Sequence, residues 1–157
     1  KALAQNQIDT IGTDHCSFNY KKQKELGIDD FSKIPNGAPG VEHRVGLLYT
    51  YGVSTNKISI NRMVELLSTN PAKIYGLYPQ KGTIEVGSDA DLVVLNPNKT
   101  KVIKAENQVQ NVDYTPYENY RLNCEIERVY LRGKEVSRNG KIIDNFPTGK
   151  YLKRSSN

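Results

Sequence analysis

Gly12-Thr13-Asp14-His15-Cys16 closes an apolar-flanked run, Ile8 to Thr13, that reads as a short buried strand handing over to a polar loop at Asp14. In α/β enzymes the carboxyl ends of strands are where catalytic groups collect. Five residues alone favour a plainer account, since an Asp after a strand is more often a turn former or helix cap. A lone strand followed by helices cannot form a closed sheet. It is therefore expected to pair with strands outside this sequence.

The bulk properties fit such a piece. The chain has 157 residues, enough for one ordinary domain, and hydrophobic residues make up a lean 37%. It starts at Lys1 with no initiator Met and enters the first strand almost at once, so a fragment is expected. The first residues lack the apolar core of a signal peptide, and no apolar run approaches membrane-spanning length. The expectation is a cytoplasmic protein with no membrane partner. A formal charge of +5 raises nucleic-acid binding, but the basic residues are scattered. Lys21-Lys22 with Lys24 is the densest cluster, and a solvated surface is the expected reading. Cys16 and Cys124 are too few and too far apart for a disulfide framework or a metal knuckle.

Along the chain, His15 to Gly40 is a long segment without sustained periodicity, broken by Gly27, Pro35, Gly37, Pro39 and Gly40. A loop of that length is usually functional or disordered. Its apolar residues Phe18, Leu26, Ile28, Phe31 and Ile34 are expected to pack onto something. Val41 to Tyr51 reads as a helix with Val45, Leu48 and Tyr49 on one face, ended by Gly52. Ser59 is the expected N-cap of a helix through Leu67 with Ile60, Met63, Val64 and Leu67 at helical spacing. Asn70-Pro71 reads as the cap and first position of a separate short helix that stops at Gly76. From Gly82 onward the runs are short and β-rich: Thr83–Val86, Asp91–Leu95, Lys101–Ile103, Ile126–Arg132, Glu135–Val136 and Lys141–Ile143. Asn139-Gly140 between two of them signals a hairpin. A boundary between two structural units is expected near Leu77 to Lys81.

A series of words then points to one family. Asp14-His15-Cys16-Ser17-Phe18-Asn19, Gln23-Lys24-Glu25-Leu26-Gly27 and Phe31-Ser32-Lys33-Ile34-Pro35-Asn36-Gly37 resemble the catalytic C-terminal part of dihydropyrimidinases and bacterial D-hydantoinases. Ser68-Thr69-Asn70-Pro71-Ala72-Lys73-Ile74, Gly87-Ser88-Asp89-Ala90-Asp91-Leu92-Val93 and Gly149-Lys150-Tyr151-Leu152-Lys153-Arg154 are similar to the same enzymes. The Gly-x-Asp-Ala-Asp-Leu word is shared across the wider amidohydrolase superfamily, whereas the words from Asp14 to Gly37 are narrower. The resemblance implies an α/β plus β fold. Residues 1–80 would be the last strand and helices of a TIM-type (β/α)8 barrel, 81–148 strands of a composite β-sandwich, and 149–157 a C-terminal tail.

It also implies a hydrolase that opens dihydropyrimidines or 5-substituted hydantoins to N-carbamoyl amino acids through two divalent metal ions, usually zinc. An allantoin-type preference stays open alongside these two. The other ligands, a carboxylated Lys among them, would lie outside this chain, so the chain alone is expected to be inactive. Asp14 is the implied metal ligand and proton carrier, taking a proton from the attacking hydroxide and passing it to the leaving nitrogen. A carboxylate suits both tasks. With an intrinsic pKa of about 4, it depends on the neighbouring ions rather than on its own basicity. Asn36 is the implied substrate-binding residue, its backbone meeting the imide edge of the ring, although Pro-Asn-Gly also simply suits a tight turn. Gly37 and Gly40 would allow close backbone approach.

Neither His15 nor His43 has metal-ligand spacing. His15 is expected to have a structural role beside Asp14, and His43 to lie on the surface. Asp89 and Asp91 read as turn and strand-end residues rather than a metal pair. The ten tyrosines, Tyr114, Tyr117 and Tyr120 among them, are expected to anchor surface segments or subunit contacts. A homo-oligomer, dimer or tetramer, with the basic tail on a neighbour, is implied by the resemblance alone. The alternative is a non-catalytic dihydropyrimidinase-like scaffold similar to the neuronal collapsin-response proteins. Those replace the residue matching Asp14 and alter the Pro-Asn-Gly word, both of which are intact here.

Overall fold

Ser59 sits in extended backbone and its hydroxyl accepts from the Arg62 amide at 3.0 Å, so the expected cap starts the helix. In the computed structural model, which describes residues 1–143 and 149–154, α2 (Ile60–Val64) begins there. The ends of the expected sandwich segment, 144–148, and of the expected tail, 155–157, lie outside the described residues. No new helix starts at Asn70-Pro71. α2 runs through a widened turn, Glu65–Thr69, straight into α3 (Asn70–Ile74), and Thr69 keeps helical backbone angles. Pro71 lacks an N–H and its ring crowds the carbonyl four residues back. The wider turn immediately upstream gives it room. Asn70, freed from capping, donates its side-chain amide to the Asp9 carbonyl at 2.9 Å.

α1 (Arg44–Leu48) similarly continues into a widened turn, Tyr49–Val53, which passes through Gly52 rather than stopping at it. Ile58, Met63 and Leu66 form the buried core of this half, with Val45, Leu48 and Tyr49 packed against them as expected. The apolar stripe of α2 is narrower than its spacing implies. Ile60 and Val64 face outward, because nothing in the described chain covers them.

The segment Ile8 to Thr13 is neither buried nor a strand: Ile8 is exposed and no ladder partner exists among the described residues. Its one backbone bond of this kind runs from Ile11 N–H to the Leu66 carbonyl at 3.2 Å. Side chains of the helices take its carbonyls instead. Arg62 donates through Nε to Leu3 O at 3.0 Å and through Nη2 to Ile8 O at 2.6 Å, and Arg44 donates to Ile11 O at 3.2 Å.

In the second half β1 (Leu92–Asn96), β4 (Glu125–Leu131), β5 (Lys134–Arg138) and β6 (Lys141–Ile142) form an antiparallel sheet in that order. β2 (Lys101–Val102) pairs separately with β3 (Arg121–Leu122), a strand without a sequence signal. Asn139 and Gly140 both have positive φ, the geometry of the tight hairpin turn expected there, and Arg132-Gly133 repeats it. Thr83–Val86 forms no strand; Ile84 and Val86 are open to solvent, with no strand paired to them among the described residues.

The two halves meet where α1 is thinnest. A Cβ on Gly46 would lie 2.8 Å from Leu122 Cδ1, so the glycine lets the buried Leu122 pack close against the helix, and a larger residue would make that leucine side chain shift. Thr50 accepts from the Asn123 amide at 2.9 Å beside it.

Asp89 and Asp91 hold a lysine, as befits turn residues. Lys81 Nζ lies 2.8 Å from Asp89 and also contacts Asp91, whose other oxygen accepts from the Arg132 amide at 2.8 Å. The hydrogen bond from Lys81 holds the Asp89 carboxyl below its usual range. Burial works against the Lys81 ammonium, but the two carboxylates outweigh it and its pKa moves up. A depressed carboxyl stabilises the fold above its unfolded pKa, and a raised ammonium does so below its own. Together they act between about pH 4 and about pH 10. Lys81→Met is therefore expected to lower the urea midpoint inside that window, with the deficit narrowing on either side. A deficit that does not vary with pH would assign the effect to packing of the lysine stem.

Candidate active site

Asp14 adopts φ 46°, a left-handed backbone that Asp tolerates better than most residues. It is exposed, and its carboxylate has no hydrogen-bond or ion-pair partner among the described residues. The chain then pairs briefly with a distant segment. His15 and Ala38 form a parallel bridge, and the Cys16 amide donates to Ala38 O at 3.4 Å. His15 has the structural role expected of it: Nδ1 accepts from the amides of Gly40 and Val41 at 3.2 and 3.4 Å. The bridge brings the turn at Asn36-Gly37 against the residues that follow Asp14, with Gly37 directly on Cys16.

The two residues singled out from the sequence, Asp14 and Asn36, lie within two residues of this bridge and are both exposed. Gly37 has φ 117°, and a Cβ there would fall 2.3 Å from the Cys16 carbonyl oxygen. Close approach is required at Gly37. Gly40 is buried, but a Cβ there would make only ordinary contacts. Asn36 N–H, Asn36 C=O and Gly37 N–H have no partner among the described residues, which leaves a donor–acceptor edge on the surface.

The loop from His15 to Gly40 is held by polar contacts. Against expectation, Leu26, Ile28 and Phe31 stay exposed among the described residues, whereas Ile34, also partly exposed, lies against Gly27. Asp30 caps the short turn Phe31–Lys33 through the Ser32 amide and hydroxyl. From the other half, Asp113 accepts from the amides of Tyr20 and Lys21 at 2.5 and 3.1 Å, and these bonds, Tyr20 foremost, hold its carboxyl below the usual range. Lys24 reaches across the loop. Its ammonium donates to Gly37 O at 2.6 Å and to Pro35 O, and lies 5.5 Å from the Phe18 ring centre. Lys24 and Asp113 were invisible in the sequence because their contacts span 11 to 93 residues and follow no period.

His43 corrects its expected place on the surface. It is buried at 4% exposure, edge-on to Tyr117 with ring centres 6.2 Å apart, and burial pushes its pKa down. Tyr117 stacks edgewise on Tyr120, and Tyr120 on Tyr51, so these tyrosines tie the 114–120 segment to the first half. Both cysteines are free thiols; Cys124 is buried, which pushes its pKa up.

No cluster of three or more His, Cys, Asp or Glu able to hold a metal exists among the described residues. At this edge the unpartnered Asp14 carboxylate is a hard oxygen donor of the kind a divalent ion takes, and by itself it would be one ligand and not a complete site. No helix among them is long and apolar enough to cross a membrane.

Residues 1–136 match the family model described as the amidohydrolase family. This chain belongs to that family. Within it, the chain stands in the dihydropyrimidinase and D-hydantoinase group. It is 46% identical over 154 residues to the D-hydantoinase of Geobacillus stearothermophilus, covering 98% of this chain and 33% of that protein. Among solved structures it is similar to a dihydropyrimidinase from Brevibacillus agri NCHU1002, with a TM-score of 0.88, 46% identity, and coverage of 90% of this chain and 31% of that one. A D-hydantoinase (dihydropyrimidinase) from Thermus sp. gives a TM-score of 0.87 at 49% identity, covering 92% and 31%. The chain spans about a third of the length of the curated relatives it matches. Its mixed helical and stranded structure matches the corresponding part of a D-hydantoinase.

Gly37→Ala tests how the site is shaped. The forced backbone alone is expected to cost about 1–3 kcal/mol, read as a lower urea midpoint, with Gly40→Ala milder. Equal losses at the two positions would mean that the Gly37 contact does not set the loop.

Proposed function

We propose that this chain is the C-terminal part of a metal-dependent cyclic amidohydrolase that opens dihydropyrimidines or 5-substituted hydantoins to N-carbamoyl amino acids. The observation that supports the reading is the His15–Ala38 bridge, within two residues of which stand the unpartnered Asp14 carboxylate and the unpartnered Asn36 peptide edge. A cyclic imide or ureide presents C=O and N–H side by side on its ring. The N–H and C=O of Asn36 offer the complementary pair on a turn whose backbone is fixed. Asp14, on the adjoining segment, takes the proton of the attacking water and delivers it to the departing ring nitrogen, a general-base and general-acid role in one group. Two divalent ions, zinc by family resemblance, supply when bound an acidified water and a polarised carbonyl. Asp14 is the ligand this chain would contribute.

The same proposal assigns residues 1–80 to the end of a (β/α)8 barrel, 81–148 to a β-sandwich and 149–157 to a tail. It makes the whole protein a homo-oligomer.

Asp14→Asn in the full-length enzyme tests the assignment. Asn keeps the shape and an oxygen but cannot accept the proton, so turnover on dihydrouracil or hydantoin should fall by about 10²–10⁴-fold. Metal content should fall less, and Asp14→Ala should lower both. Near wild-type turnover in Asp14→Asn would overturn the catalytic assignment.

A further inference from the structure

We propose that Lys24 is a positioning residue for the cyclic substrate, an inference that rests on the function proposed above. The ammonium donates to two carbonyls, Pro35 O and Gly37 O, that flank Asn36 on both sides. Pro35 C=O and Asn36 N–H belong to one peptide plane and point in opposite directions when that peptide is trans. Among X–Pro and other peptides described here, only Tyr78–Pro79 is cis. Holding the Pro35 carbonyl therefore aims the Asn36 N–H away from Lys24 and toward the open side of the turn. Holding Gly37 O fixes the far end, leaving the Asn36–Gly37 peptide between two anchored planes.

The charge adds a second effect. A hydrogen bond from a cation is stronger than one from a neutral donor. It polarises the peptide it meets and makes the N–H at the other end a better donor. Lys24 is itself half-buried, and its ammonium also lies toward the Phe18 ring, so its stem is held in place. The neighbouring Lys21 and Lys22 are exposed, and no side-chain bond ties their ammonium groups to this turn. Lys24 thus orders the edge that the ring's imide N–H and C=O meet, without touching the ring.

The test uses the full-length, metal-loaded enzyme with a 5-substituted hydantoin as substrate and, because the imide nitrogen is the one that departs, the same compound methylated there as a competitive inhibitor whose inhibition constant is compared. Losing a group that orders an edge used equally in ground and transition state raises KM and leaves kcat nearly unchanged. Lys24→Met is expected to raise KM for the unmethylated ring about 10- to 100-fold. The penalty should be much smaller for the methylated ring, which has already lost the edge contact. Lys24→Arg, which keeps the charge and the donors, should restore most of the affinity. Should Lys24→Met not fold, Lys24→Gln carries the same comparison with a smaller rise expected. Equal penalties on the two rings, or an unchanged KM in a folded variant of an active enzyme, would overturn the role of Lys24 alone. A wild-type enzyme that opens neither hydantoins nor dihydropyrimidines would instead overturn the proposed function and this inference with it.

Discussion

Three side chains from the helical half hold the carbonyls of the segment that leads to Asp14: Arg62, Asn70 and Arg44. A backbone without strand neighbours keeps its polar groups unpaired unless something else bonds them. Here guanidinium and amide donors do so, and Arg62 is further fixed by Glu65 at 3.0 Å. The position of Asp14 follows from this. So does the register of the His15–Ala38 bridge, because the segment arrives at the loop already anchored along its length. The continuous helix from Ile60 to Ile74 matters for the same reason: it carries Arg62 and Asn70 as a single rigid body.

Features governed by neighbours in the sequence were legible in it. Ser59 caps its helix, Asn139-Gly140 turns its hairpin, and Arg132-Gly133 turns β4 back onto β5, each through interactions a few residues apart. Elements that need a distant partner were not. Ile8 to Thr13 and Thr83–Val86 have strand composition, but composition cannot provide a neighbouring strand. The break expected at Asn70-Pro71 failed because a widened turn upstream absorbs the proline, a compensation no cap rule contains.

At the candidate site the division is the same. Asp14 and Asn36 could be picked out from short words, and so could the close approach at Gly37. The groups that hold them could not. Lys24 looked like one more solvated cation and His43 like surface, and nothing in the sequence marked Asp113, until the fold brought 105–124 back over α1 and the loop. Polar contacts across tens of residues leave no periodic trace.

Asp113 gives that return crossing a further meaning. The loop amides of Tyr20 and Lys21 end on a carboxylate from the opposite half of the chain, and Asn19 in turn accepts from the Asp113 amide at 3.3 Å. The 15–40 loop is therefore not a modular graft. Moved into a relative by itself, it would arrive without the acceptor that gathers its amides, and the host's own 109–120 segment would face a loop it was not shaped for. Loop and return segment form one cooperative unit, and transplanting either of them means moving both pieces together.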